Sequence, residues 1–296
     1  MLLFKRGDEL AGYLEKQRSE GKQIGFVPTM GALHAGHLSL IERSRSTAQV
    51  TVCSIFVNPT QFNDPKDFRK YPITIERDLY LLEKAAVTAV FLPEVEEIYP
   101  DGMEGLEKYD LGELETILEG KYRPGHFQGV CQAVKRLLDK VMPDQLFMGQ
   151  KDYQQCLVVG RLLDLIGSAT VLYTCPIVRE PDGLAMSSRN LRLSDDDRKK
   201  APAIYKALSW LKENREVKDG GQPLGFERLP GSAIDHARGM LAVENFRIDY
   251  LEIAAADGLG PLRGGEGAGT NDEKRDGGDE GKGVGKAIAL VAAFLG

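Results

Sequence analysis

The sequence predicts an α/β fold: a Rossmann-like parallel sheet with helices on both faces, followed by a smaller C-terminal α+β lid domain. Three observations predict it. Short runs that are apolar almost throughout alternate with segments whose apolar residues recur at helical spacing, the order of βαβ units around a buried parallel sheet. Polar motifs fall just after four of the apolar runs, where ligands bind in such sheets. Beyond about Val178 the alternation gives way to charged helical segments and an alternating strand.

Each element has its own warrant. Residues 7–19 read as a short amphipathic segment, and residues 23–27 as a strand that ends at Pro28. From Gly36 to about residue 48 a helical pattern turns Leu38, Leu40 and Ile41 inward. Residues 49–57 carry Val50, Val52, Ile55, Phe56 and Val57, a run too continuously apolar for a half-exposed strand. Residues 75–86 read as a helix and 89–92 as a strand stopped by Pro93. In residues 127–141, Val130, Val134, Leu137, Leu138 and Val141 are in helical phase. Then come a strand at 145–148, a helix at 153–166 and a strand at 170–173.

These elements assign residues 1–176 to the first domain and 177–296 to the second, with a hinge near Pro176. In the second, a charged helix is expected from Ser194 through Leu211, another over 234–241, and strands at 246–253 and 286–295. Residues 264–285 are dense in Gly, Asp, Glu and Lys and offer little to bury, so they are expected to be disordered and dispensable.

At 296 residues the chain can bury a sizeable core. The formal net charge of -6, with 38 basic residues scattered along the chain, argues against a nucleic-acid partner. No apolar run near the start suits a signal peptide or a membrane span, so a cytoplasmic protein is expected. Cys53, Cys131, Cys156 and Cys175 are far apart and sit in apolar surroundings, as reduced core residues do.

The stretch FVPTMGALHAGH, residues 26–37, hands a strand over to a helix. A helix start offers free N–H groups and a partial positive charge, which suits a phosphate chain. Gly31 and Gly36 remove side chains where a ligand would approach the backbone, and His34 and His37, three apart, project from one face. Two surface histidines would meet the same spacing. A zinc site is disfavoured, because the pattern is not H-E-x-x-H and no third ligand follows.

MGQKDYQQ (148–155) places Lys151 and Asp152 at a strand-to-helix turn, where the lysine can neutralise phosphate and the aspartate can also serve as the helix N-cap. MSSRN (186–190) supplies two hydroxyls and a guanidinium for an anion, or forms an ordinary turn. KYRPGHFQGV (121–130) carries Arg123 and His126 ahead of a helix, and a capped loop explains it equally well.

The H-x-G-H pattern resembles the H-I-G-H signature of the nucleotidyltransferase superfamily. The longer string PTMGALHAGH, with FVNPTQF, RPGHF, GQKD and MSSR in the same order, is similar to the pantothenate synthetase (pantoate-beta-alanine ligase) family over most of residues 20–195. That resemblance implies ATP-dependent condensation of pantoate with beta-alanine, through a pantoyl adenylate, to pantothenate, AMP and diphosphate. It implies ATP contacts from Met30, Gly31, Ala32, Leu33, His34, Ala35, Gly36 and His37, from Gly149, Gln150, Lys151 and Asp152, and from Val178, Met186, Ser187, Ser188 and Arg189. Gln61 and Gln155 would hold pantoate, with Gln61 also meeting beta-alanine, and His37, His34 and Lys151 would carry the catalysis. Magnesium would ride on the ATP phosphates without a dedicated protein site, Asp78 being the one candidate contact. A homodimer is implied as well.

The sequence departs from the family pattern in places. Thr60 stands where Met is usual, which puts the apolar wall beside pantoate in question, and Gln150 replaces a common Glu. The Gly/Asp-rich tract is unusual, and the chain ends at AAFLG, where relatives commonly continue. Nucleotidyl transfer to a phosphorylated acceptor and a nucleotide-binding regulatory module are the alternatives; the paired glutamines and RPGHF argue against the first.

Overall fold

The computed structural model describes residues 1–214, 231–260 and 287–295. It divides into two compact units, Met1–Leu193 and Ser194–Gly296. In chain order the first unit contains β1 (Leu2–Phe4), α1 (Gly7–Ser19), β2 (Ile24–Thr29), α2 (Ala35–Thr47), β3 (Val50–Ile55), α3 (Pro65–Arg69) and α4 (Ile75–Lys84). There follow β4 (Ala89–Phe91), α5 (Val95–Ile98), α6 (Leu118–Tyr122), α7 (His126–Val141), β5 (Gln145–Gly149), α8 (Tyr153–Leu165) and β6 (Val171–Cys175).

The six strands form one sheet in the order β1-β4-β3-β2-β5-β6, and every neighbouring pair is parallel. All six residues of β3 are buried, which explains a strand without polar alternation. Successive side chains serve opposite faces. Ile24 and Phe26 of β2, Val52 of β3 and Leu146 of β5 join the core with α1, α7 and α8. Val27, Cys53 and Phe147 join the core with α2 and α4. Each fully buried Phe or Leu in these layers contributes about 1.5–3 kcal/mol. Helices therefore cover both faces of the sheet.

Strand order reverses at the centre. The chain runs outward from β2 through β3 to β4, then returns to lay β5 on the other side of β2, with Gly25 opposite Gln145 and Phe26 opposite Leu146. Such a reversal opens a crevice at the carboxyl ends of the two central strands.

The second unit holds α9 (Asp195–Lys200), α10 (Ala203–Asn214), α11 (Gly231–Val243) and the antiparallel pair β7 (Arg247–Ala255) and β8 (Ala287–Phe294). Ala207 and Leu211 of α10 and Ala237 and Leu241 of α11 pack with Leu251 of β7. The single helix expected from 194 to 211 is broken, since Pro202 has no N–H to continue it and α9 ends at Lys200. The first unit runs to Leu193, past the hinge expected near Pro176, because residues 178–189 fold back on the sheet edge. Met186 N–H donates to Val178 O at 3.0 Å and Ser188 Oγ to Ala32 O at 3.0 Å. The short edge strand β1 has only three residues, too few to show a period in the sequence. The Gly/Asp-rich tract lies outside the described residues. Among those described, no helix is long and apolar enough to cross a membrane, and all four cysteines are free and buried.

Candidate active site

The turn between β2 and α2 is built from backbone that needs a partner. Gly31 and Ala32 have φ of 80° and 48°, a conformation open to glycine and costly for most other residues. A Cβ at Gly31 would also come within 3.1 Å of both Asp78 Oδ2 and Ile55 Cγ2. Asp78, on α4 and fully buried, accepts the N–H groups of Ala32 and Leu33, each at 2.8 Å, and the Thr74 hydroxyl at 3.1 Å. The carboxylate suggested by sequence as a magnesium contact is thereby committed to holding the turn.

His34 is the N-cap of α2. Its Nδ1 accepts the Gly36 N–H at 3.1 Å, while His37 Nδ1 accepts the His34 N–H at 3.3 Å, a reciprocal capping box made of two imidazoles. Their rings lie 4.0 Å apart. Because both Nδ1 atoms act as acceptors, the neutral rings carry their protons on Nε2. Burial, then the charge of Lys151, pulls His34 down from its ordinary 6.5 to about 4. Burial, then His34 and Lys151, pulls His37 down to about 3. At neutral pH the amino end of α2 thus presents uncharged imidazoles with one N–H each.

Other loops of this unit bring their residues to the same carboxyl edge. Gly149 ends β5, and Gln150, Lys151 and Asp152 form a single 3-10 turn before α8. Asp152 occupies the N-cap position of α8 without a side-chain cap bond; its carboxylate pairs with Lys151 Nζ at 2.8 Å. Gln155 lies in the first turn of α8. A Cβ built on Gly36 would be 3.7 Å from the Met186 Cβ, which sets the MSSR loop against the start of α2. Ser187 Oγ accepts the Arg189 N–H at 3.3 Å, and buried Ser188 ties the loop to Ala32. Arg189 donates to Asp67 Oδ2 at 3.0 Å and Arg192 to Asp67 Oδ1 at 2.6 Å, while the Arg189 guanidinium stands 5.7 Å from the Tyr71 ring centre.

Gln61 closes a 3-10 turn after β3, and its Nε2 donates to Met30 Sδ at 3.0 Å. Asn58 Nδ2 donates both to Gln61 Oε1 at 3.1 Å and to Gly129 O at 3.0 Å. Thr60, the departure from the family pattern, directs its hydroxyl toward Asn58 Oδ1 at 3.0 Å and Tyr99 OH at 3.1 Å. It is consumed in this network. Of the predicted residues, Met30 and Gln61 touch, as do His34 and His37, Ala32 and Ser188, and Met186 and Val178; Gln155 is placed on α8.

The carboxylates at this edge are each engaged, Asp78 by backbone, Asp67 by two arginines and Asp152 by Lys151. Among the described residues no group of three or more His, Cys, Asp or Glu could hold a metal ion. The donor set does not fit a protein-ligated magnesium ion.

A family model for pantoate-beta-alanine ligase matches residues 2–296. This chain belongs to the pantoate-beta-alanine ligase family. A pantothenate synthetase of Porphyromonas gingivalis is 41% identical over 259 residues, 88% of each chain. The crystal structure of pantothenate synthetase from Thermus thermophilus superposes with a TM-score of 0.79 at 42% identity, covering 88% of this chain and 90% of that one. Pantoate-beta-alanine ligase from Francisella tularensis, crystallised with beta-gamma ATP and beta-alanine, gives a TM-score of 0.71 at 34% identity, covering 85% and 89%.

Within this pantoate-beta-alanine ligase fold, sequence reasoning placed Asn58 beside Gln61 after the second strand but missed Asp67 and Tyr99, and did not show that Asp78 holds the Ala32 turn. Their partners come from distant elements, and several are main-chain atoms. Asp67 pairs with Arg189 and Arg192, 122 and 125 positions away, so no local pattern in residues 64–69 displays the contact.

Proposed function

We propose that this chain condenses pantoate with beta-alanine, consuming ATP and releasing AMP and diphosphate. The observation that carries the reading is the pair of neutral imidazoles capping α2 beside the β2/β5 reversal, with Lys151 close enough to lower the pKa of both. A carboxylate oxygen of pantoate attacks the α-phosphorus, the bond from that phosphorus to the bridging oxygen breaks, and diphosphate departs. The beta-alanine amine then attacks the acyl carbon, AMP leaves with the carboxylate oxygen, and the amine proton passes to solvent.

No enzyme nucleophile is needed. The protein's task is to hold reactants in line and to spread stabilising hydrogen bonds and charge over the phosphates. In this reading His34 and His37 donate through Nε2–H, Lys151 neutralises phosphate oxygens, Ser187 and Arg189 receive the diphosphate, and Ser188, whose one proton goes to the Ala32 carbonyl, holds their loop against the ATP turn. The Met30–His37 turn, Gly149, Gln150, Asp152, Val178 and Met186 complete the ATP contacts, and Gln61 and Gln155 meet pantoate. Magnesium enters on ATP, held by phosphate oxygens and water. Free, buried cysteines support a reducing compartment such as the cytoplasm, and family resemblance supports a homodimer.

The deciding experiment uses carboxyl-¹⁸O-labelled pantoate. Label is expected in AMP, and omission of beta-alanine should leave pantoyl adenylate on the enzyme. Unlabelled AMP rejects the adenylate, and release of ADP with phosphate replaces it with an acyl phosphate.

A further inference from the structure

The motif KYRPGHFQGV has no part in the reaction proposed above, yet it is bound to the turn that carries Gln61. His126 is 5% exposed. Its Nδ1 lies 2.8 Å from the Gln61 main-chain oxygen, an atom that can only accept, so the ring proton sits on Nδ1. Nε2 is then the acceptor, facing Arg123 Nη1 at 3.4 Å. Burial, then the Arg123 charge, lowers the ring to about 4 and keeps this neutral form at pH 7. Arg123 Nη2 supplies a second donor to the same oxygen at 3.2 Å. Side chains at and just before the start of α7 therefore engage one carbonyl twice.

The side chain of Gln61 is fixed from the other side. Gly129 O can only accept, so Asn58 turns its NH₂ toward it, Gln61 turns its oxygen to that NH₂, and the Gln61 NH₂ is left facing Met30. A side chain at Gly129 would collide with the Thr60 carbonyl, so glycine is what lets α7 approach this turn. The amide that meets the substrate is thus referenced to α7, one of the most buried helices of the core.

We infer that His126 is a positioning residue: its bond to the Gln61 carbonyl sets where the Gln61 amide meets the acid substrate, so its loss is read in pantoate use and not in ATP binding. This rests on Gln61 being a pantoate residue, as proposed above. A histidine that served stability alone would lower the melting temperature without favouring one substrate.

An asparagine amide nitrogen falls where Nδ1 lies, and a glutamine amide nitrogen falls near Nε2. His126→Asn should keep kcat/KM for pantoate close to wild type. His126→Gln should lower it about 10-fold or more, the scale of a small misplacement of a substrate-holding group, with the Kd for ATP unchanged. In the Gln61→Ala background, His126→Gln should cost nothing further, because the group it positions is gone. Equal losses in the two His126 variants, or losses that multiply in the double variant, overturn the positioning role. Wild-type pantoate use by Gln61→Ala removes the underlying reading of Gln61, and the proposal with it. Should His126→Gln not fold, His126→Ala withdraws the same donor; a folded His126→Ala protein with normal pantoate use overturns the inference.

Discussion

Asp78 and Ala32 are joined by a 2.8 Å hydrogen bond in which a fully buried carboxylate accepts a main-chain N–H from the turn that begins α2. With Leu33 N–H on the other oxygen, the carboxylate holds two donors that no helix or strand satisfies. Asp78→Ala should cost about 2–6 kcal/mol, since each of the two buried donors left unpaired costs about 1–3 kcal/mol. Asp78→Asn retains one acceptor and should lose less. Urea denaturation gives the cost, and ATP titration should show weakened binding in both proteins. Unchanged stability in Asp78→Ala would mean the turn does not depend on this carboxylate.

The imidazoles set a pH dependence whose sign is fixed. His34 and His37 fall from 6.5 to about 4 and about 3, so folding favours their neutral forms. The stability this gives is fully present above about pH 6.5 and drains away as pH falls toward 4 and then 3. His126, lowered to about 4, adds a loss in the same direction. NMR titration of the histidine ring carbons should find three rings that stay neutral through pH 5.5, whereas a ring at His34 or His37 titrating near 6.5 would reject the cap geometry.

His37→Ala and Lys151→Ala should each fold and lose adenylation by about 10²- to 10³-fold, the range for removing one preorganised donor to developing charge. Diphosphate release in a single turnover is the readout, with circular dichroism as the control for folding. Near wild-type turnover in folded His37→Ala would end the catalytic assignment.

Gln155→Ala should weaken pantoate use far more than ATP binding. A site that hydrogen-bonds substrate hydroxyls and then loses a partner leaves buried groups unpaired, at about 1–3 kcal/mol each. Separate KM determinations for pantoate and ATP decide it, and a parallel rise in both would move Gln155 out of the pantoate site.

Ser54 makes the opposite kind of prediction. Its Oγ is buried on β3 and, among the described residues, has no hydrogen-bond partner. Ser54→Ala should be neutral or stabilising by up to about 1–2 kcal/mol, because it removes an unpaid desolvation. A clear fall in melting temperature would reveal a partner for this hydroxyl.

The sequence by itself determined the α/β class, the alternation of strands and helices, the placement of four motif loops after strands, and the family. Those features are local: a strand buried on both faces has no polar alternation, as in β3, and a helix must repeat its apolar side, as in α7. Only the tertiary structure decided what holds the motifs in place. Asp78 reaches the Ala32 turn across 46 positions, His126 reaches Gln61 across 65, and Arg189 reaches Asp67 across 122. Two of those three bonds end on main-chain atoms, which every residue possesses and no motif displays. The strand order that opens the crevice between β2 and β5 is equally silent in the chain, because it depends on which side of β2 the returning strand is laid.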